Sequence, residues 1–367
     1  MTFSPRNISR AFLLGLAWTA SSLSAFAGTS ASQSPAPEET LAWPPPPAAP
    51  RIKWVAQYRN AFDVGAKKKH SFLDRLAGRS ESVLWLQRPI SVAVDDDGII
   101  FVGDFTQGIL AMDPVRHRMW AFSSVSGSAL PTPTGLAVDS KLVFAASSNT
   151  NSVIAFDKQG HQIAALGSMD GINRPVGLAV DEQRDLLVVV NGGEHAVRLY
   201  TRAFKLLKTV GSRGSEEGQF NFPTYCCMLP GTGFAVVDTG NFRIQIFDYE
   251  GRFIRAFGKV GDNPGSFARP KGIGVDSEGH LYVVDAAFSN FQILQQDGRP
   301  LTFVGQGGTG RGQFQAPTDL TVTKGNAIYV VDQINDRIQQ FQYLPAPPEQ
   351  PRPPEGRPSP PPTPNSH

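Results

Sequence analysis

The segment RPKGIGVDSEGHLYVVD (residues 269–285) decides the fold. It opens on a proline. Ile273 and Val275 then alternate with Gly272 and Gly274, the two-residue period of a strand. Asp276, Ser277, Glu278 and Gly279 supply turn chemistry. LYVVD follows as a second strand that ends on Asp285. The same order of events occurs six times. The other openings are RPISVAVD (88–95), TPTGLAVD (132–139), RPVGLAVD (174–181), FPTYCCML (222–229) and APTDLTVT (316–323). Their prolines (Pro89, Pro133, Pro175, Pro223, Pro270, Pro317) are spaced 44, 42, 48, 47 and 47 residues apart. Third strands follow, as in FRIQIFD (242–248) and DRIQQFQ (336–342), and fourth strands, as in RFIRAFG (252–258).

Four short strands in each period of about 45 residues predict a propeller blade. One four-stranded sheet covers neither of its faces alone, so blades must stack. A β-sandwich has no reason to repeat at this period. The segments between strands are too short for the crossover helices of a parallel α/β sheet. The fold class predicted is all-β: a six-bladed propeller of four-stranded antiparallel blades, starting near residues 88, 132, 174, 222, 269 and 316.

Blade six has only three strands of its own before the chain enters PAPPEQPRPP (345–354), whose prolines cannot donate ladder bonds. RIKWVAQY (51–58) matches the fourth-strand pattern and lacks a blade of its own. Residues 51–59 are therefore predicted to close the ring by pairing with the last blade. Residues 60–87 connect that strand to blade one. Within them, 71–78 read as a two-turn helix with Ser71 as cap and Gly78 as stop. That segment reads either as a lid over one channel mouth or as a solvated basic loop carrying Lys67, Lys68 and Lys69.

The flanks differ in composition. Residues 1–27 read as a cleaved secretory signal: Arg6 and Arg10, an apolar run from Ala11, and Ala25-Phe26-Ala27 before Gly28. The alternative, an uncleaved anchor, is too short and too polar to span well. No cysteine lies there to accept a lipid, so the location expected is periplasmic or secreted. Residues 28–50, with 7 prolines, and 345–367, with 11, read as extended, unpacked linker and tail.

Charge excludes whole classes. The chain carries 34 basic and 32 acidic residues. Loss of the two signal arginines leaves it neutral, with no long-range field to gather nucleic acid. Hydrophobic residues at 41% permit a large core, and Gly (36) and Pro (30) favour turns and short strands. No later stretch is apolar enough to span a membrane, and a monomer is expected.

GQFNFP (218–223), VVDTGNFRIQIFD (236–248), GSFARPKGIGVDSEGHLYVVD (265–285) and GQFQAPTDL (312–320) resemble the NHL repeat. The resemblance covers about residues 88–344 and is strongest in blades four to six. Ser147 and Asn191 depart from it, standing where the second strand otherwise ends in Asp. It implies a six-bladed propeller that serves as a binding platform for a protein, peptide or envelope component. It also implies an alternative, since some NHL-like propellers are lyases that use bound metal and histidines. Some eukaryotic members bind RNA, which the neutral chain and the signal argue against.

Candidate sites each have two readings. Asp104, Asn191, Asp238, Asp285 and Asp332, with Ser147, form a row of second-strand ends. They read either as an oxygen-ligand ring for Ca²⁺ or as turn caps, with Asp238 and Asp332 paired to Arg243 and Arg337. The histidines (His70, His117, His161, His195, His280, His367) show no zinc-ligand spacing and no shared rim position. Nucleophile and phosphate-loop motifs are absent. No cofactor is expected beyond the Ca²⁺ or Zn²⁺ of the lyase or hydrolase alternative. Cys226 and Cys227 lie in the inner strand of blade four and read as free thiols, with a strained vicinal disulfide as the alternative.

Overall fold

The structure is a computed structural model describing residues 41–66, 83–122 and 132–345. Six antiparallel sheets form a ring. Blades one to five have four strands each, running from the axis outward in chain order. The signal segment, most of the proline-rich flanks and the anticipated helix at 71–78 lie outside the described residues.

The opening proline has a fixed place in five of the six repeats. Pro89, Pro175, Pro223, Pro270 and Pro317 sit opposite Asp104, Asn191, Asp238, Asp285 and Asp332, and the register shifts just after each proline. Proline brings no N–H, so it fits at a strand's first residue, before ladder donors are required. The glycines that follow answer to crowding at the axis. A Cβ on Gly272 would lie 2.5 Å from Asp319 Cα, and one on Gly177 2.6 Å from Tyr225 Cα.

The second strands read as continuous apolar runs because both their faces are covered. In Leu281–Asp285 every residue is buried. Leu281 and Val283 pack into the gap with blade four, and Tyr282 and Val284 into the gap with blade six. Fourth strands, such as Leu206–Val210, are mostly exposed. There are six interblade clusters, one in each gap around the ring. Phe220, Phe267 and Phe314, from the loops that enter blades four to six, are fully buried among them.

The closing strand is present as expected. Ile52–Tyr58 pairs antiparallel with Arg337–Tyr343, placing Ile52 opposite Tyr343, Trp54 opposite Phe341 and Tyr58 opposite Ile338. Trp54 donates its indole N–H to Gln339 at 3.0 Å. One boundary needs correction. The proline-rich stretch to residue 50 was expected to be unpacked, yet Ala42–Trp43 adds a fifth strand against Ile52 and Lys53. The Trp43 ring lies edge-on to Phe341 at 5.7 Å. Composition argues for an unpacked linker, but a single large aromatic is enough to tie this end down.

The described ends of the connecting segment pack against the ring. Val64 and Leu86 are buried in the gap between blades six and one. Residues 67–82, where a lid would have to be built, are outside the described residues.

Ile52 is fully buried at the junction of the closing strand and blade six. Ile52→Ala is expected to cost about 2–5 kcal/mol. Ile254→Ala, on an exposed fourth strand, should change stability by less than about 0.5 kcal/mol. Denaturant melts of the two variants check this, and equal losses would refute the closure energetics.

Candidate functional site

The five polar strand ends are engaged in holding the loops that enter each blade. Asp238 Oδ1 accepts the Asn221 N–H at 2.7 Å. Its Oδ2 accepts from Asn241 (2.8 Å), Arg243 Nε (2.9 Å) and Gln245 (3.1 Å). Blade six repeats the set: Asp332 accepts from Gln315 N–H, Asn335, Arg337 Nε and Gln339. Asp104 accepts the backbone N–H groups of Gln87, Arg88, Thr106 and Gln107. Asp285 accepts those of Ala268, Arg269 and Ala287. Asn191 accepts from Asn173 and donates to Gly171 O and Glu194. Ser147, with a shorter side chain, has no partner for its hydroxyl. These residues mark one rim position per blade, but each works within its own blade. Among the described residues, no group of three or more His, Cys, Asp or Glu is placed to hold a metal ion.

The glutamines at Gln245 and Gln339 are part of this lock, and sequence reading passed over them. Each donates to the strand-end carboxylate and to a loop carbonyl, Gln219 O or Gln313 O. Their signal was the polar residue repeated inside the otherwise buried third strands RIQIFD and RIQQFQ.

The described histidines sit apart, each with its own bond. His195 Nδ1 accepts the Phe222 N–H at 3.0 Å. His117 Nδ1 lies 2.9 Å from Val64 O. His161 and His280 bond Asp157 and Asp276 at 2.8 and 2.9 Å. His70 and His367 are outside the described residues. Both cysteines are free thiols. Burial pushes the Cys227 thiol up to about 12 and Cys226 well above its ordinary value, so neither is a poised nucleophile.

Three polar side chains occupy the inner-strand position that is glycine in blades two, three and five. Tyr225 donates from blade four to Thr134 O of blade two at 3.4 Å. Ser91 of blade one donates to Pro133 O at 3.5 Å. Asp319 of blade six accepts the Val92 N–H of blade one at 3.1 Å and the Leu320 N–H at 2.8 Å. No ion pair involves Asp319 among the described residues, and burial raises its pKa to about 8.

The two mouths of the channel differ in charge pairing. At the mouth formed by the turns after the inner strands, three carboxylates are ion-paired. Asp95 meets Lys158 and Asp139 meets Arg202, both at 2.7 Å, and Asp181 meets Arg184 at 3.0 Å. At the mouth where the inner strands begin, Arg88, Arg174 and Arg269 precede the prolines of blades one, three and five. Lys271 lies two residues into the blade-five strand. Phe105 and Phe222 are about half exposed there, at 50% and 54%. The Arg88 guanidinium lies 5.0 Å from the Phe105 ring centre.

No family model matches the sequence, and no curated protein matches it. Solved structures do. A protein of unknown function from Bacteroides thetaiotaomicron superposes with TM-score 0.57 at 16% identity, over 80% of this chain and 75% of that one. A streptogramin B lyase gives 0.54 at 12% identity, over 71% and 94%. A catalytically inactive virginiamycin B lyase from Staphylococcus aureus, solved with quinupristin, gives 0.53 at 12% identity, over 70% and 95%. At these identities the likeness shows the propeller fold.

Two predictions follow from the buried acids. Arg337 and Asp332 are both buried, so Asp332→Ala strands an arginine charge. It is expected to cost about 3–5 kcal/mol, and adding Arg337→Met should restore part of that. Chemical denaturation of the single and double variants reads both. For Asp319, the unfolded carboxyl titrates at about 3.9, whereas the folded one holds its proton to about 8. Stability should therefore fall as pH rises between those values, by on the order of a few kcal/mol, and stay flat above. Asp319→Asn should flatten the slope; a slope unchanged in that variant would contradict the assignment.

Proposed function

We propose that the chain is an exported, divergent NHL-type propeller that works as a non-catalytic platform for a protein, peptide or cell-envelope ligand. One observation carries this reading. The groups that would perform chemistry, the strand-end carboxylates and the described histidines, are bonded within the scaffold. Around them, the mouth where the inner strands begin offers Phe105, Phe222 and cations that form no ion pair among the described residues to an incoming surface. Exposed aromatics beside arginine are the composition of binding hot spots. Export rests on the signal-like residues 1–27. Nucleic acid is disfavoured by the neutral mature chain.

The competing reading is a lyase with its site in the channel, since the fold is shared with streptogramin-type lyases. The purified protein incubated with quinupristin, with and without Mg²⁺, Ca²⁺ or Zn²⁺, separates the two. The platform reading predicts no turnover above the buffer rate in any condition. It also predicts that Phe105→Ser/Phe222→Ser weakens capture of envelope-fraction ligands about tenfold, the scale of a hot-spot loss. Lys324→Glu on the opposite face should leave capture intact. Turnover of quinupristin, or capture indifferent to the aromatic pair, would overturn the reading.

A further inference from the structure

The repeat register places three arginines around one axis. Arg88, Arg174 and Arg269 hold the same position, immediately before the opening proline, in blades one, three and five. They recur at every second blade, and all three side chains are exposed. Lys271, on the same rim, is half-buried, yet it makes no hydrogen bond or ion pair among the described residues. A half-buried ammonium without an acceptor has lost hydration and gained nothing in return. Burial, and after it the neighbouring charge of Arg269, lowers its pKa.

Among the described residues no acid of this face forms an ion pair with these groups; the Asp104 and Asp285 carboxylates accept the backbone N–H groups of Arg88 and Arg269 instead. Glu194 is taken by Arg198 and Asn191. Asp170 accepts the Gly167 N–H. Asp336 faces Arg59 and Asp104, which is also an acid, and forms no ion pair with Arg88. Elsewhere this fold pairs charges that serve stability, as in Asp95 with Lys158 and Asp139 with Arg202 at the opposite mouth and Asp332 with Arg337 on this face. Cations without ion pairs among the described residues, set around one mouth, are a charge arrangement that a ligand can complete.

We propose that this mouth binds acidic peptide segments. Their carboxylates are taken by Arg88, Arg174, Arg269 and Lys271, and their apolar side chains by the Phe105 and Phe222 rings. The guanidinium fork matches a carboxylate through two parallel N–H donors. Phe222 is held for this purpose, because its backbone N–H is fixed on His195 and its ring lies 4.6 Å from the imidazole centre. A peptide fits better than a nucleic acid or an anionic membrane. Four cations at one mouth, on a chain otherwise balanced in charge, clamp a few carboxylates. A long polyanion calls for a basic stripe. This inference rests on the platform reading and names the chemistry of its ligand.

Fluorescence anisotropy with a fluorescein-labelled Glu-Phe-Glu-Phe-Glu-Phe amide tests it, using the purified protein. Saturable binding is expected, weakening as salt rises from about 50 to about 300 mM because the contacts are ionic. Arg174→Ala/Arg269→Ala/Lys271→Met should weaken it about tenfold or more, with a melting temperature no lower than that of the unsubstituted protein, because the two arginines are exposed and Lys271 has no bond to lose. Lys324→Glu at the opposite mouth should leave it unchanged. No binding, binding unaffected by the triple variant, or equal binding of the Lys-Phe counterpart would overturn the proposal. So would tighter binding of a dodecathymidylate or of phosphatidylglycerol vesicles. If the acidic peptide fails while envelope capture still depends on Phe105 and Phe222, this inference falls and the platform reading stands.

Discussion

The structure depends on a single pairing, that of Ile52–Tyr58 with Arg337–Tyr343. A propeller is a closed stack in which each blade needs a neighbour on both sides. Here six gaps are filled by six clusters, and the gap between the last blade and the first is the one the chain cannot build locally. Tyr58 from the closing strand joins Val331 and Ile338 of blade six with Val92 and Ile100 of blade one. Near the axis the same gap is bridged by Asp319 to Val92 N–H and by Thr318 to Ile90 O at 2.7 Å. Closure therefore acts at both radii, through an apolar cluster outside and hydrogen bonds inside.

Within four of the blades the loops are held by a different device. In blades one, four, five and six a buried carboxylate at the end of the second strand collects donors from the loop 16–17 residues upstream and, in blades four and six, from an arginine and a glutamine of the third strand. Such a buried ionic cluster gives geometric definition where an apolar contact would slide. It fixes the residues just before the opening proline, which are the residues that line the mouth. The scaffold thus consumes the polar groups that looked most like a site and presents others.

Much of this was legible in the sequence. The period, the opening prolines, the six blades and the closing strand all follow from patterns local enough to read from one chain. The strand at Ala42–Trp43 was not, because proline-rich composition hides one aromatic that finds a tertiary partner in Phe341. Ca²⁺ ligation and turn capping could not be told apart at Asp238 or Asp332, since both use the same residue type. The donors that make Asp238 a loop anchor stand 17 residues away and on the neighbouring strand, out of reach of a local pattern. Arg88, Arg174 and Arg269 stood in plain alignment before their prolines. What makes them notable is that their side chains form no ion pair among the described residues, a tertiary fact no spacing reveals.

Closure as the governing constraint is tested most directly by native-state hydrogen exchange of the closing strand. If the ring opens only by global unfolding, the ladder amides of Ile52–Tyr58 will exchange with the same free energy as those of the second strands in blades two to five. Exchange of the closing strand through a lower-energy opening, with those inner strands still protected, would contradict it.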